Sequence, residues 1–415
     1  MTPLKLLKTA FVLTAAGFVF HAEGAPGDTW RNAQGEEVRQ LTAKNQYDRK
    51  YLRRCEIDFK RFPVVVFESD DWGCCSGHLE TPADLEKLYR LLESIRGADG
   101  LPVILTAFTC MGNPDFEAIE KNGFTRYEDI AIDQGFPKPW NGEGTVEKYR
   151  DGMKRGVWHP EYHALLHHVS PRLWLHLLKG KGQAAEIAQE RFSRQYFAQP
   201  SHLPEYQGFT VAEQQAMIQE GFERFRRTFG FSPRAAVTSD AYPETIVLWA
   251  ANGIDTVPLI NCRGKVGTVT VYHTKPWNFQ DMYAKMGDIG ASTGVVYLAR
   301  NAFFENGTPE VVLKSATRDW KIGEPAVISC HRGVLLKPER QAEFKDLLKK
   351  LADAGAVFAT TAEVGDLYRR GWFVRGGVLH KYAAAPCPYP EGTDLATGKK
   401  VKITAETTGN FKIKE

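Results

Sequence analysis

Asp70 and Asp71 are adjacent carboxylates in the run Glu68-Ser69-Asp70-Asp71-Trp72-Gly73, directly after an apolar stretch. Two like charges so close are costly to hold unpaired. A metal ion would remove that cost for one and leave the other to act as a base. The plain alternative is that one caps a helix and the other is solvated. A second cluster holds His159, His163, His167 and His168, four of the chain's 11 histidines. His163 and His167 are spaced i, i+4, which puts two imidazoles on one side of a helix or tight turn, as zinc sites use. His159 repeats the spacing upstream, where Pro160 predicts a bend. Asp71 with His163 and His167 would make a two-His, one-carboxylate set with a position open for water, the pattern of a catalytic site. A third place is Ile328-Ser329-Cys330-His331-Arg332-Gly333. His331 there could serve as a general acid, since histidine titrates near neutrality; a hydrogen-bonded structural histidine is the alternative.

These groups need elements to hold them. Residues 62–67 form a short β-branched run bounded by Pro63 and then acids, the signature of a fully buried strand of a parallel sheet. Residues 82–95 carry Leu85, Leu88, Leu91 and Leu92 on one helical face, with Thr81 as N-cap. Residues 101–108 read as the next strand. The alternation resumes with a helix over 211–229, presenting Met217, Ile218, Phe222, Phe225 and Phe229. Strands are expected at 235–237, 256–260, 294–298, 326–329 and 357–360, and helices at 243–252 and 338–354. About seven strands alternating with helices predict an α/β fold, a distorted (β/α)7 TIM-like barrel, with an open doubly wound sheet as the alternative. Residues 133–206, rich in Trp, His, Gly and Pro, read as a long loop and helix insertion at the barrel mouth. The Asp pair and His331 each fall just past a predicted strand, where barrels place their active sites. No nucleotide-binding glycine pattern is present.

The 415 residues are 43% hydrophobic and 25% charged, which excludes a disordered or collagen-like chain. A formal charge of +3 is too balanced for gripping a phosphate backbone, so no nucleic-acid partner is expected. Basic runs near 224–227 and 345–350 lie on predicted helices and read as solvated faces. Lys5 and Lys8, the apolar residues 9–20 and the small residues at Ala22 and Gly24 form a predicted signal peptide over 1–24. The expected location is therefore secreted, periplasmic or cell surface, with no stable membrane span after cleavage. Residues 25–50 read as a polar lead-in, 51–375 as the barrel domain and 376–415 as a polar C-terminal tail. Seven cysteines make an odd count, so at least one stays unpaired within the chain; several buried thiols with one or two bridges are expected.

Together the three places resemble the polysaccharide deacetylase superfamily, of the carbohydrate esterase family 4 type, over about residues 62–367. The resemblance implies a distorted (β/α)7 barrel and metal-dependent removal of N- or O-acetyl groups from sugars. It implies that Asp70 is the base, that Asp71, His163 and His167 bind the metal, and that His331 is the catalytic histidine. The blocks SDDWG, H-x-x-x-H, RN-x-x-FE (Arg300, Asn301, Phe304, Glu305) and a late HR (His331, Arg332) look like a divergent secreted or cell-surface subgroup. Trp72 stands where the family has glycine, and Ala164 replaces a frequent serine. The arginine that normally orients the base is not evident: the corresponding strand end reads Val237-Thr238-Ser239-Asp240-Ala241-Tyr242, and Arg300 could replace it.

The expected cofactor is one divalent metal ion, zinc first, and the expected partner an acetylated glycan. Trp72, Tyr242, Arg300 and Asn301 are the substrate-binding candidates, with a backbone N–H near Tyr242 for the oxyanion. Trp140 and Trp158 are further aromatic faces for sugar rings or, equally, for packing. Two other readings stay open. One is a metal-free glycoside hydrolase-like enzyme using Glu68 or Asp70 with Asp240. The other is a carbohydrate-binding protein that kept the fold and lost the chemistry.

Overall fold

The computed structural model describes residues 30–31, 37–38, 48, 50–77, 79–138, 140–167, 170–196, 205–206, 209–237, 243–259, 270–272, 279–281, 285–383, 391–404 and 407–413. The predicted signal peptide and most of the lead-in lie outside these residues, as do Asp240, Tyr242, Cys262 and Cys387. No helix among the described residues is long and apolar enough to cross a membrane. The five described cysteines, Cys55, Cys74, Cys75, Cys110 and Cys330, are all thiols, so a predicted bridge among these five is not formed.

Among the described residues the fold is α/β, with eight parallel strands around the site. They are β1 (Val64–Trp72), β2 (Leu105–Cys110), β3 (Trp158–Ala164), β4 (Thr256–Leu259), β5 (Val296–Ala299), β6 (Ala302–Phe303), β7 (Ala326–His331) and β8 (Val357–Ala359). One sheet runs in the order β6-β7-β1-β2-β3, and β8 also pairs with β1. A second sheet joins β4 to β5 and continues, antiparallel, through Ile289–Gly290 to Tyr51–Leu52. β1 is buried at every position but Asp71, as a central parallel strand must be.

No single closed barrel sheet forms among the described residues. The expected strand at 235–237 is reduced to isolated parallel bridges, Tyr162↔Ala236 and Ala235↔Thr256, which tie β3 to β4. The reason is local: the buried Glu161 carboxylate takes the N–H groups of Arg234 and Ala235, both at 2.8 Å, so they are spent on a side chain. A second correction concerns residues 133–206. They do carry helices (Thr145–Lys154, Pro171–Lys179, Gln183–Ser193), but β3, a full member of the sheet, runs through their middle. Pro160 and the polar residues around it hide this strand from a pattern reading.

The helices pack as their periodicity requires. Thr81 caps Pro82–Glu93 in a capping box with Asp84, and Leu85, Leu88, Tyr89 and Leu92 are buried. Val211–Phe229 buries Ile218, Phe222, Phe225 and Phe229, each worth about 1.5–3 kcal/mol. Gly221 lets this helix lie close on β3: a Cβ there would sit 2.3 Å from the Tyr162 hydroxyl oxygen. Thr361–Arg370 packs across β1, β4 and β5. Beyond it, Trp372–Arg375, Val378–Lys381, Gly409–Ile413, Glu391–Asp394 and Lys400–Lys402 pair in that order as an antiparallel sheet over Leu379, Ile403 and Phe411. Arg375 ties it to the body through Asp99 at 3.0 Å.

Candidate metal and acid–base site

Two register shifts build the site, one on each side of the upper end of β2. From Ser69 to Trp72, β1 advances three residues while β2 advances two, Ala107 to Thr109. The extra residue is taken up around Asp71, whose φ of 72° lies in the left-handed region. That conformation costs roughly 1–3 kcal/mol in a residue other than glycine, and bulges of this kind re-aim side chains beside active sites. On the other side, Thr109 pairs with Tyr162 and Cys110 with Ala164, so His163 is the extra residue of β3. His167 follows in the turn after β3, not on a helix. The buried Glu205 carboxylate accepts the Leu166 N–H at 2.8 Å and so fixes that turn.

Asp71, His163 and His167 converge, each offering a donor atom within 4.8 Å of the others. Asp71 Oδ1 lies 3.3 Å from His163 Nε2 and 2.8 Å from His167 Nε2. Donors at roughly 2.0–2.1 Å from one tetrahedral ion stand about 3.3 Å apart, so the set fits a divalent ion such as zinc in both chemistry and spacing. Burial alone would push the Asp71 carboxyl up, but the charge of His167 and hydrogen bonds from both histidines hold it well below the usual range.

Asp70, one residue earlier, keeps the extended strand and faces elsewhere. Arg300 reaches it from the bend between β5 and β6. Arg300 Nη1 donates to Asp70 Oδ2 at 2.5 Å and Nη2 to Oδ1 at 2.7 Å, while Nε donates to Glu68 Oε2 at 2.7 Å. Burial raises the Asp70 pKa, yet the Arg300 charge and hydrogen bonds overcome it, and the carboxyl is held below its ordinary value. Asp70 is therefore an anion at neutral pH. For Glu68 burial wins, and its pKa is raised despite Arg300 and Thr361.

His331 ends β7, directly beside Asp70 in the register. Its side chain is 49% exposed, and its Nδ1 lies 3.1 Å from Glu305 Oε2, which also accepts the His331 backbone N–H at 2.9 Å. Burial works to lower the His331 pKa, but the Glu305 hydrogen bond, with the charges of Asp71, Asp70 and Glu305, pushes it up to about 9. The next residue, Arg332, is buried and clamps the loop after β1. It donates to Glu80 at 2.7 Å and to the carbonyls of Cys74 and Ser76 at 2.5 and 2.8 Å. Glu80 in turn accepts the Gly73 N–H at 2.7 Å.

The structure thus brings Asp70, Asp71, His163, His167 and His331 to one end of the parallel strands. The predicted substrate contacts among the described residues have other duties. Trp72 is fully buried and meets Trp158 edge-on at 6.2 Å; Trp158 stacks on Tyr149 at 4.5 Å. Both are core, with no face for a sugar. Arg300 is buried and committed to two carboxylates. Asn301 bonds the Pro325 carbonyl and the Val327 N–H, both at 2.8 Å, and so fixes β6 against β7. None of these four residues is a surface for substrate. Trp140 is half-buried and lines a cavity of about 400 Å³ with Phe136 and Asn141. Tyr242 lies outside the described residues. Sequence reasoning gave no role to Glu305, Glu80, Glu205 or Thr361. Only Glu305 had a visible signal, its place in the RN-x-x-FE block.

No family model and no curated protein matches the chain. Among solved structures, the chain is similar to a Mycobacterium smegmatis protein described as a polysaccharide deacetylase, at 11% identity and a TM-score of 0.41, covering 76% of this chain and 94% of that one. It is similar to a Bacillus anthracis pseudoenzyme of carbohydrate esterase family 4, at 10% identity and a TM-score of 0.37, covering 77% of this chain and 70% of that one. A family 4 carbohydrate esterase from Streptomyces lividans, solved with acetate, matches at 10% identity and a TM-score of 0.34, covering 74% of this chain and 93% of that one.

Proposed function

We propose that this protein is an exported, metal-dependent hydrolase that removes N- or O-acetyl groups from a carbohydrate. The observation that carries the reading is the division of two neighbouring carboxylates, Asp71 turned to two imidazoles and Asp70 held by Arg300, with His331 beside them. We also read the parallel strands as the expected distorted barrel. β1, β2 and β3 pair in order, isolated bridges at residues 235 and 236 lead from β3 to β4, β4 pairs with β5, the chain carries β5 into β6, and β6 pairs with β7, which pairs with β1.

Asp71, His163 and His167 would hold the ion, zinc first. A divalent ion there supplies Lewis acidity toward a carbonyl oxygen and a water of lowered pKa. Asp70, an anion oriented by Arg300, accepts the proton of the attacking water. Each Asp70 oxygen spends one lone pair on Arg300 and keeps another for that proton. His331, protonated at neutral pH through Glu305, donates a proton to the departing amine or alcohol. Its half-exposed ring suits a group that must meet a substrate arriving from solvent.

The metal-free glycosidase reading pairs Glu68 or Asp70 with Asp240, which lies outside the described residues, and both Glu68 and Asp70 are already tied to the Arg300 guanidinium. The test is acetate release from acetylated glycans by the metal-loaded protein, with Asp70→Asn beside it. Release that Asp70→Asn abolishes supports the reading; release that survives in Asp70→Asn sinks it.

A further inference from the structure

Glu68 and Asp70 are two residues apart on one extended strand, so their side chains leave the same face about 7 Å apart. That gap is spanned by a single guanidinium. Arg300 uses one edge, Nη1 and Nη2, for both oxygens of Asp70, and its Nε for Glu68 at 2.7 Å. Glu68 is itself pinned from the far side, where Thr361 Oγ1 donates to its Oε1 at 2.7 Å. The Thr361 backbone N–H donates to Thr106 Oγ1 at 3.1 Å, which fixes that threonine against β2. Arg300 also lies over the Phe108 ring, 5.5 Å from its centroid. The guanidinium is therefore held on its Nε side and below, and only the edge facing Asp70 is left for the base.

We propose that Glu68, braced by Thr361, is a positioning residue for the base, holding Arg300 in the one orientation in which it grips both oxygens of Asp70. The inference rests on the reading of Asp70 as the base and adds two residues to that reading. A lone Asp70–Arg300 pair could rotate about the arginine side-chain bonds and carry the carboxylate with it. With Nε anchored, the carboxylate plane is fixed, and so is the direction of its remaining lone pairs. A misplacement of about 1 Å at such a group costs on the order of 10²-fold in rate.

The experiment compares Glu68→Leu, Glu68→Gln and Thr361→Val as metal-loaded proteins, reading kcat, KM and metal per chain. Glu68→Leu should lose about 10²-fold in kcat with KM and metal content unchanged. Glu68→Gln, whose amide oxygen can still accept from Nε, should recover most of that loss. Thr361→Val, which deletes only the brace, should lose about 3–10-fold in kcat. A merely structural role would not separate Leu from Gln in kcat alone. A crystal structure of Glu68→Leu, or of Thr361→Val should the first not fold, reads the same point without turnover: Arg300 should lose one of its two bonds to Asp70. Both bonds retained, or wild-type kcat in metal-loaded Glu68→Leu, would overturn the inference. No acetate release by the wild type would instead overturn the proposed reaction and leave the crystallographic readout to decide on Glu68.

Discussion

The surroundings of Asp70 form a buried cluster in which one arginine balances two carboxylates, whereas those of Asp71, one residue on, form a slightly exposed cup of two imidazoles. The difference comes from backbone geometry. The register shift against β2 turns Asp71 into the left-handed region and leaves Asp70 in the extended strand, so neighbours in sequence point into different chemistry. The lesson is that a carboxylate pair need not share a role. On the proposed reading, the strand would supply one anion to a metal and a second, separately neutralised, to proton transfer.

The cup is where a single substitution should have the largest effect. His163→Ala should abolish both metal binding and acetate release while leaving the Arg300 cluster and the fold in place, checked by elemental analysis with circular dichroism. Asp70→Asn should come next, with kcat falling about 10²–10⁴-fold, as loss of a general base does, and KM little changed. Arg300→Leu tests the buried side through stability. It strands two buried carboxylates, and denaturant unfolding should register a loss of about 3–5 kcal/mol.

The smallest expected effect sharpens the comparison at its rim. On the proposed reading His331 acts as an acid in its protonated form, and its pKa is pushed up to about 9. The alkaline limb of the rate profile should follow His331, with activity declining as pH rises through its pKa. Glu305→Gln removes the neighbouring carboxylate, so the alkaline limb of the rate profile should move down, toward the ordinary histidine value near 6.5. An unmoved limb would take Glu305 out of the account.

Much of this site was legible before the fold was known, and the legible part has a physical signature. Asp70, Asp71 and His331 close apolar, β-branched runs of the kind that form buried strands, and His163 with His167 repeat at four residues. The helix over Val211–Phe229 and the Thr81 cap were equally visible, because periodicity and capping are local. What was hidden depends on contacts between distant segments. β3 is interrupted by Pro160 and carries polar residues, so its place in the sheet is settled by pairing with β2. Trp72 and Trp158 look like sugar platforms in a motif and are core because they meet each other. Arg300 stood in the sequence as a replacement for the missing arginine and also as a substrate contact. Only its distances to Asp70 and Glu68 separate those roles.

The most direct test of the divided pair is metal per chain in the wild type, Asp70→Asn and Asp71→Asn, purified and reconstituted side by side. About one zinc per chain in the wild type and in Asp70→Asn, and none in Asp71→Asn, is the predicted result. Equal metal in both variants, whether retained or lost, would contradict the separation of base from ligand.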